Sequence, residues 1–220
     1  MERNLVGIII SFAFIFILIG IATVLEKRNK LSKEGTRKLI HIGVSNWWII
    51  AMIYFDNIWY AIILPSVFII INYLSYRFQL INAMERKSGS NDLGTVYFPI
   101  SLLILVIFTF GIIKIPYIGA LGTLIMGYGD GLAAIIGKKF GKSKYYVFNN
   151  EKSFEGTLTM FIASLLVCFL IFTIYSPNII LFKSLVIAVF ATILEGFSPW
   201  GFDNLTVPIF SSLLYYILFF

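Results

Sequence analysis

The sequence predicts an all-α fold, a polytopic integral membrane bundle of seven to eight transmembrane helices. Of its 220 residues, 59% are hydrophobic and only 13% are charged, and the mean hydropathy is +0.91. A folded globule of this size cannot bury so much apolar surface, so the excess must face lipid. A water-soluble protein is therefore excluded, and a chain with 22 Phe and 12 Tyr has little capacity for disorder.

Eight apolar segments are long enough to cross the roughly 30 Å hydrocarbon core as helices. The first lacks an Ala-x-Ala cleavage site and is followed by Lys27 and Arg28, so we expect a retained anchor. The last is short and contains Pro208, and its loss would leave seven spans. The approximate ranges are 5–25, 38–55, 58–75, 95–113, 116–137, 156–175, 178–197 and 204–220.

We expect one transmembrane domain over residues 1–220. The sequence contains no internal repeat, no Gly/Ser-rich or Pro-rich linker and no low-complexity tract. Within this single domain, residues 1–34 are predicted to form the N-terminal anchor helix and a basic loop that follows it.

Basic residues are distributed unevenly over the loops between these spans. The even-numbered loops and the N-terminus hold only Arg3 and Lys114. Because cytoplasmic loops carry the excess of Lys and Arg, we expect the odd-numbered loops and the active site in the cytoplasm. The odd-numbered loops hold Lys27, Arg28, Lys30, Lys33, Arg37, Lys38, Arg77, Arg86, Lys87, Lys138, Lys139, Lys142, Lys144 and Lys152.

The composition also limits the chemistry. A single Cys (Cys168) excludes an internal disulfide and a thiolate metal cluster, and a single His (His41) excludes a His-rich zinc site. The net charge of +6 suits anionic headgroups or phosphates better than nucleic acid, because no basic helix outside the membrane is available to enter a groove. Catalysis must therefore depend mainly on carboxylates, amides, Lys and Arg.

The strongest single candidate is Asp130, in the segment Gly127-Tyr-Gly-Asp-Gly131 of the fifth span. Ionisable residues inside spanning helices are costly and usually belong to a site. A carboxylate among glycines beside a basic loop is best explained by a divalent cation that carries phosphate. The alternative is that the glycines allow close helix contacts and that Asp130 pairs with a Lys.

The loop after the fifth span is rich in Lys and Gly, and Lys152 and Glu155 lie where the sixth span begins. Free N–H groups at a helix start favour anions, so Lys152 and the backbone near Ser153 form a candidate phosphate site. The loop is not a Walker A motif, since three residues rather than four separate Gly137 from Gly141. The alternative is that its lysines only follow the positive-inside rule.

Two further groups of residues are predicted on the same membrane face. The start of the second span carries Arg37, Lys38 and His41 at helical spacing. The alternative for His41 is that it is a buried histidine without a role in a site. Glu195 ends the seventh span and Asp203 precedes the eighth, which adds two carboxylates for Mg²⁺. Taken alone, Asp203 is an ordinary helix N-cap.

Four motifs together resemble the CTP-dependent lipid kinase family of dolichol kinase, phytol kinase and the yeast-type diacylglycerol kinase. The resemblance covers residues from about 35 to 210, which we take as the family-like core. The motifs are Arg37-Lys-x-x-His41-x-Gly43, Gly129-Asp-Gly-x-Ala-x3-Gly137-x3-Gly141-x-x-Lys144, Lys152-Ser-x-Glu-Gly-Thr157 and Glu195…Asp203-Asn204-x-x-Val-Pro208.

This resemblance implies an enzyme that transfers the γ-phosphoryl group of CTP to the hydroxyl of a membrane alcohol, with Mg²⁺ as cofactor. The acceptor would be dolichol, phytol, geranylgeraniol or diacylglycerol. The candidate catalytic residues are Asp130, Lys152, Glu155 and Asp203, and the candidate metal ligands are Asp130, Glu195 and Asp203. The candidate nucleotide-binding residues are Gly129, Gly131, Gly137, Gly141, Lys144, Lys152, Ser153, Gly156 and Asn204, and those for substrate are Arg37, Lys38 and His41.

Two other functions remain open at this point. CDP-diacylglycerol synthases share part of the glycine and lysine pattern, but the segment 197–204 lacks the His, Arg and second Asp of their later loop. A small transporter is the other alternative. Against it, the acidic residues cluster at one membrane interface rather than at the bilayer midplane.

Overall fold

The computed structural model describes residues 1–78, 93–148 and 150–220. In these ranges the chain is an all-α bundle, as predicted, with one short hairpin. Arg86 and Lys87, two of the predicted cytoplasmic residues, lie outside the described residues. The helices are α1 (Glu2–Lys27), α2 (Lys33–Ser45), α3 (Trp47–Tyr54), α4 (Ile58–Ala61), α5 (Ile63–Phe78), α6 (Gly94–Val106), α7 (Pro116–Leu124), α8 (Gly131–Phe140), α9 (Phe154–Tyr175), α10 (Ile180–Phe197) and α11 (Asp203–Phe219).

Six helical stretches of the described chain are long and apolar enough to cross a membrane. They correspond to the first and the third to seventh predicted spans, and the eighth is the shorter helix α11, with 17 residues. The protein is therefore a multi-pass membrane protein. The six stretches are Glu2–Lys27, Ile58–Phe78, Gly94–Ile112, Pro116–Phe140, Phe154–Tyr175 and Ile180–Phe197.

The second predicted span, residues 38–55, comprises the end of α2 and the whole of α3 in the structure. Asn46 separates α2 from α3. Its side-chain amide donates to the carbonyl of Ile42 at 2.8 Å, and its Oδ1 accepts from the hydroxyl of Tyr128 at 3.1 Å. A side chain that hydrogen-bonds the preceding turn competes with the helical hydrogen-bond ladder, although the backbone of Asn46 keeps right-handed helical angles.

The fifth span lies at the centre of the bundle. Its most apolar 18-residue segment is 72% buried, whereas the corresponding segments of the other five long helices are at most 44% buried. Within it, α7 continues into α8 through a π-helical turn, Ile125–Asp130. Such turns are rare and occur often at functional sites. The turn ends on Asp130, so the candidate carboxylate lies where the helical geometry is irregular.

A β-hairpin connects α8 to α9, a feature that the sequence analysis did not predict. Strand β1 (Lys144–Val147) pairs antiparallel with β2 (Asn150–Ser153), with Lys144 opposite Ser153. The hydroxyls of Tyr145 and Thr157 lie 2.5 Å apart and connect the hairpin to α9. Tyr and Val favour strands, and four residues per strand are too few to show in a helical periodicity.

The two ends of the bundle differ in the polar groups that they carry. At one end, Asn4 donates to Asp56 at 2.6 Å, and Lys183 donates to the hydroxyl of Ser176 at 2.7 Å. The opposite end collects the start of α2, the hairpin, the end of α10 and the start of α11. All the clustered candidate site residues belong to this second end, which we call the site end.

Candidate active site

Three carboxylates meet at the site end. Asp130 ends the π-helical turn, Glu195 lies in the last turn of α10, and Asp203 is the first residue of α11. One oxygen of each lies within 4.8 Å of the others, and Asp130 and Glu195 are buried. Like charges this close repel each other unless cations neutralise them. This acidic cluster unites the three residues predicted as metal ligands.

Helix α2 supplies one of the neutralising cations. Lys38 donates to Asp130 Oδ2, and its side chain is only 4% exposed. Lys38 is predicted to contact the substrate, whereas its contact in the structure is with the acidic cluster. His41, one turn further along α2, places its Nε2 3.7 Å from the same oxygen. Lys38 and His41 therefore both lie against the carboxylate of Asp130.

The hairpin supplies the second cation. Lys152, in β2, donates to Glu195 Oε1 at 2.6 Å and also to the main-chain carbonyl of Glu195. The side chains of this pair are 16% and 10% exposed. Because buried charges require partners, the pair connects the hairpin firmly to the end of α10.

The charges of this group do not balance. The three carboxylates carry three negative charges, and Lys38 and Lys152 carry two positive charges, which leaves one net negative charge. Carboxylate oxygens are the ligands that Mg²⁺ prefers, usually one or two of them together with phosphate oxygens. The donor atoms and the residual charge of the acidic cluster therefore fit a divalent cation.

A cavity of about 470 Å³ opens beside the acidic cluster. Small-molecule sites typically measure about 300–1,000 Å³, so the cavity is large enough for a nucleotide. Basic, acidic and glycine residues from helices α2, α8, α9, α10 and α11, from the π-helical turn and from both strands of the hairpin line it, which gives a polar wall. The predicted site residues among them are Lys38, Asp130, Gly137, Lys144, Lys152, Ser153, Gly156, Glu195 and Asp203.

Lys144 lies at the rim of this cavity. It pairs with Glu151 at 2.6 Å across the hairpin, and the side chains are 54% and 47% exposed. This hydrogen bond raises the pKa of Lys144 and lowers the pKa of Glu151. An exposed pair of this kind adds little to stability. Lys144 is therefore more exposed than Lys152, although both lysines line the cavity.

Gly129 and Gly131 are two of the three predicted nucleotide-binding glycines that do not line the cavity. A Cβ atom on Gly129 would collide with Met160 of α9, and one on Gly131 would collide with Ile42 of α2. Both glycines thus let neighbouring helices approach Asp130 closely. These contacts match the packing role that the sequence analysis kept as an alternative, and the nucleotide-binding role stays a prediction.

Three other glycines surround the start of α9. Gly137 and Gly156 line the cavity, and a Cβ atom on Gly137 would lie 3.3 Å from the Cα of Gly156. Gly141 packs against Gly137 and Ser153 and does not line the cavity. Ser153 Oγ accepts from the backbone N–H of Gly156 at 3.1 Å and caps α9. The N-terminus of α9 therefore borders the cavity.

Besides His41 and the three glycines above, three further predicted residues do not line this cavity. Glu155 Oε1 accepts from the backbone N–H groups of Lys142 and Ser143, at 3.1 and 3.3 Å, and so holds the loop before the hairpin. Arg37 pairs with Glu34 of its own helix at 2.6 Å. Asn204 donates to the carbonyl of Gly201 at 3.1 Å.

The structure adds residues that the sequence analysis did not select. Glu34 and Trp200 line the cavity, and the Trp200 side chain is 56% exposed. Trp200 has a left-handed backbone, with φ of 51°, which turns the short loop between α10 and α11. Only the fold brings the indole of Trp200 to the cavity.

Comparison with known proteins identifies relatives over most of the chain. A phytol kinase of Synechocystis is 39% identical over 196 residues, which cover 86% of this chain and 82% of that protein. Phytol kinase 1 of Arabidopsis thaliana is 27% identical and covers 89% of this chain and 70% of that protein. A dolichol kinase of Schizosaccharomyces pombe is 37% identical over 98 residues, which cover 44% of this chain and 19% of that protein.

No protein-family model and no solved structure matches the chain. The relatives nevertheless suffice to assign the family, because the 39% identity with the Synechocystis phytol kinase extends over most of both proteins. They agree with the lipid kinase motifs and disfavour the synthase and transporter alternatives. The four motifs lie at one end of the membrane bundle. The protein is therefore a lipid alcohol kinase, and the chain belongs to the polyprenol kinase family of the phytol and dolichol kinases.

Proposed function

We propose that the protein transfers the γ-phosphoryl group of CTP to the hydroxyl of an isoprenoid alcohol, with Mg²⁺ as cofactor. The observation that carries this proposal is the acidic cluster with its two lysines beside a cavity of about 470 Å³. Phytol is the acceptor that we favour, since the relatives similar over most of the chain are named phytol kinases. CTP as donor rests on the resemblance of the four sequence motifs to the family.

Phosphoryl transfer needs positioning and charge stabilisation more than covalent help. Asp130, Glu195 and Asp203 would hold Mg²⁺, which when bound neutralises charge on the phosphates of the nucleotide. Lys152 and the N-terminus of α9 border the space for the phosphates, and Lys144 meets the nucleotide at the rim.

In the proposed step, the hydroxyl oxygen of the alcohol forms a bond to the γ-phosphorus while the bond from phosphorus to the bridging oxygen breaks. The electron pair of the broken bond leaves with CDP, and the hydroxyl proton passes to a carboxylate of the acidic cluster. Lys38 keeps the carboxylate of Asp130 in place, and Lys152 keeps that of Glu195 in place. Preorganised charges of this kind lower the barrier without rearrangement during the reaction.

Labelled nucleotides test the donor and the transferred group. With purified protein, phytol and Mg²⁺, label from γ-labelled CTP should enter the lipid fraction, and label from α-labelled CTP should remain in water-soluble CDP. Excess unlabelled CTP should suppress the transfer far more than excess ATP, and a chelator should abolish it. Recovery of α label in lipid, with phosphatidic acid as the required acceptor, would instead establish a cytidylyltransferase.

We also propose that the site end faces the cytoplasm, because basic residues concentrate in its loops. Ser143 is exposed in the loop before the hairpin, and Glu2 is exposed at the opposite end. In a Cys168→Ser background, Ser143→Cys should react with a membrane-impermeant thiol reagent only after cells are opened. Glu2→Cys, the matched control, should react in intact cells. The reverse pattern would place the active site outside the cytoplasm.

A further inference from the structure

The loop between α10 and α11, residues 198–202, brings one large aromatic side chain to the cavity beside the acidic cluster. Trp200 lines this cavity together with Gly201 and Asp203, and it is 56% exposed. No other aromatic residue of the described chain lines the cavity. The indole is therefore a flat apolar surface in a wall that otherwise consists of charged, polar and small residues.

The backbone of this loop is unusual at its tip. Trp200 and Gly201 are both left-handed, with φ of 51° and 79°. Residues other than Gly seldom adopt this region, and where they do so the surrounding structure imposes it, often at ligand sites. A Gly at position 200 would form the same turn without this cost, so the turn alone does not explain a Trp there.

Contacts on both sides of the tip hold the loop in place. The hydroxyl oxygens of Ser198 and Thr206 lie 3.0 Å apart, and the ring of Phe202 packs on Tyr97 with centroids 4.9 Å apart. Trp200, in contrast, packs on no aromatic ring in the part of the chain that the structure describes. The anchored loop thus presents one free ring to the cavity.

A nucleobase suits such a ring. Its two faces are apolar and its edge is polar, so a base stacks on an aromatic side chain and still leaves its edge to polar groups. The phosphates of a nucleotide need charged surroundings, which the acidic cluster and Lys152 provide in the same cavity. A ligand that combines a flat ring with phosphates would therefore match both parts of the wall.

An exposed Trp near a membrane interface has an ordinary alternative role, since Trp is enriched where the bilayer meets water. Trp59 fits that role. It is 72% exposed at the opposite end of the bundle, in α4, and it lines neither the cavity nor the acidic cluster. Trp200 differs from it because its indole forms part of the cavity wall.

We propose that Trp200 is the stacking platform for the base of the nucleotide donor. The base lies on the indole, and the phosphates extend to the acidic cluster and Lys152. Since every base has an apolar face, this contact adds affinity and orientation but does not distinguish cytosine from adenine. The inference deepens the proposed function and rests on its use of a nucleotide.

Tryptophan fluorescence tests the contact without catalysis, because a stacked base quenches an indole. The protein contains four Trp, of which Trp47 and Trp48 are fully buried. In a Trp59→Phe background, CTP with Mg²⁺ and no alcohol should quench the emission to saturation. The quench, corrected for absorption by the nucleotide, should vanish in Trp59→Phe/Trp200→Phe. Tripolyphosphate, which has no base, should not quench but should displace CTP. Equal quenching by tripolyphosphate, or a quench that persists in the double variant, would overturn the proposal.

A pair of substitutions at Trp200 separates stacking from anchoring in the membrane. Trp200→Leu stays apolar but loses the aromatic face, so the KM for CTP should rise about tenfold or more while the KM for phytol stays unchanged. Trp200→Phe retains an aromatic face and should recover most of the affinity for CTP. Trp59→Leu, the matched control, should change neither KM. An unchanged KM for CTP in a folded Trp200→Leu protein, or an equal rise in both Trp200 variants, would contradict the inference.

The experiments also separate this inference from the proposed function. If no alcohol accepts phosphate from CTP but CTP quenches Trp200, the base site stands and the proposed function fails. If CTP donates phosphate but does not quench Trp200, only the base site is wrong. If ATP alone both donates and quenches, the base site stands with a different donor. Absence of quenching by either nucleotide would overturn the base site.

Discussion

The substitution Asp130→Asn is expected to lower phosphoryl transfer at least about a thousandfold. Asn keeps the shape of the side chain but removes the charge, so the acidic cluster loses one of its three anionic groups. With the lysines still present, the group would no longer carry a net negative charge to attract a cation. The measurement is the rate of label transfer from γ-labelled CTP to phytol at saturating Mg²⁺.

In this variant, a loss of folding stability must be distinguished from a loss of catalytic activity. Asp130 is the partner of the buried Lys38, and removal of one member of a buried pair typically costs about 3–5 kcal/mol. The double variant Lys38→Gln/Asp130→Asn removes both charges and should recover much of the thermal stability. It should remain as inactive as the single variant, because the missing carboxylate is not restored.

Asp56→Asn is the matched control for this substitution. Asp56 lies in an exposed loop at the opposite end, where Asn4 donates to it at 2.6 Å. The same chemical change there should leave the rate within about twofold, as surface substitutions usually alter stability little. Near-normal activity of Asp130→Asn would mean that Asp130 only contributes to helix packing, and it would remove the main support for the metal site.

The substitution Lys152→Met is expected to lower the rate about a hundredfold or more, the usual effect of removing one stabilising donor. Met has a similar length but no charge, so Glu195 loses its ion pair and the phosphates lose a cation. If Lys152 contacts the transferred group, kcat should fall more than the KM for the nucleotide rises. Steady-state kinetics with CTP as the varied substrate measure this difference.

Lys139→Met is the matched control for Lys152. Lys139 is exposed near the end of α8, above the ring of Phe140, and does not line the cavity. Its replacement should leave kcat within about twofold, although it removes the same charge from the same connection between spans. Equal losses in both variants would mean that the basic loop acts through its overall charge, as the positive-inside alternative requires.

Much of the site could be predicted from the sequence because its residues are costly in their local surroundings. Asp130 is predicted on this ground because it lies inside a spanning helix. Glu195 and Asp203 are predicted as further carboxylates at helix ends on the same membrane face. Lys152 was selected from its position before a helix start. The sequence could not establish that these carboxylates lie together. Residues 130, 195 and 203 come together through tertiary packing that no local pattern specifies.

Other features depend on local geometry that composition does not reveal. The hairpin has strands of four residues, and Asn46, between α2 and α3, accepts a hydrogen bond from Tyr128, 82 positions away. The supporting role of Glu155 likewise requires the loop N–H groups to point at its carboxylate. Each of these features is a specific hydrogen-bond arrangement rather than a periodic pattern.

By itself, the sequence determined that this protein is an all-α membrane bundle, because its apolar surplus has no alternative to lipid. Its motifs also determined the kinase family. Only the tertiary structure decided that Lys38 pairs with Asp130, that Lys152 pairs with Glu195, and that Trp200 lines the cavity beside the acidic cluster. The physical reason is that buried ion pairs and cavities form between helices distant in sequence, so their partners depend on packing.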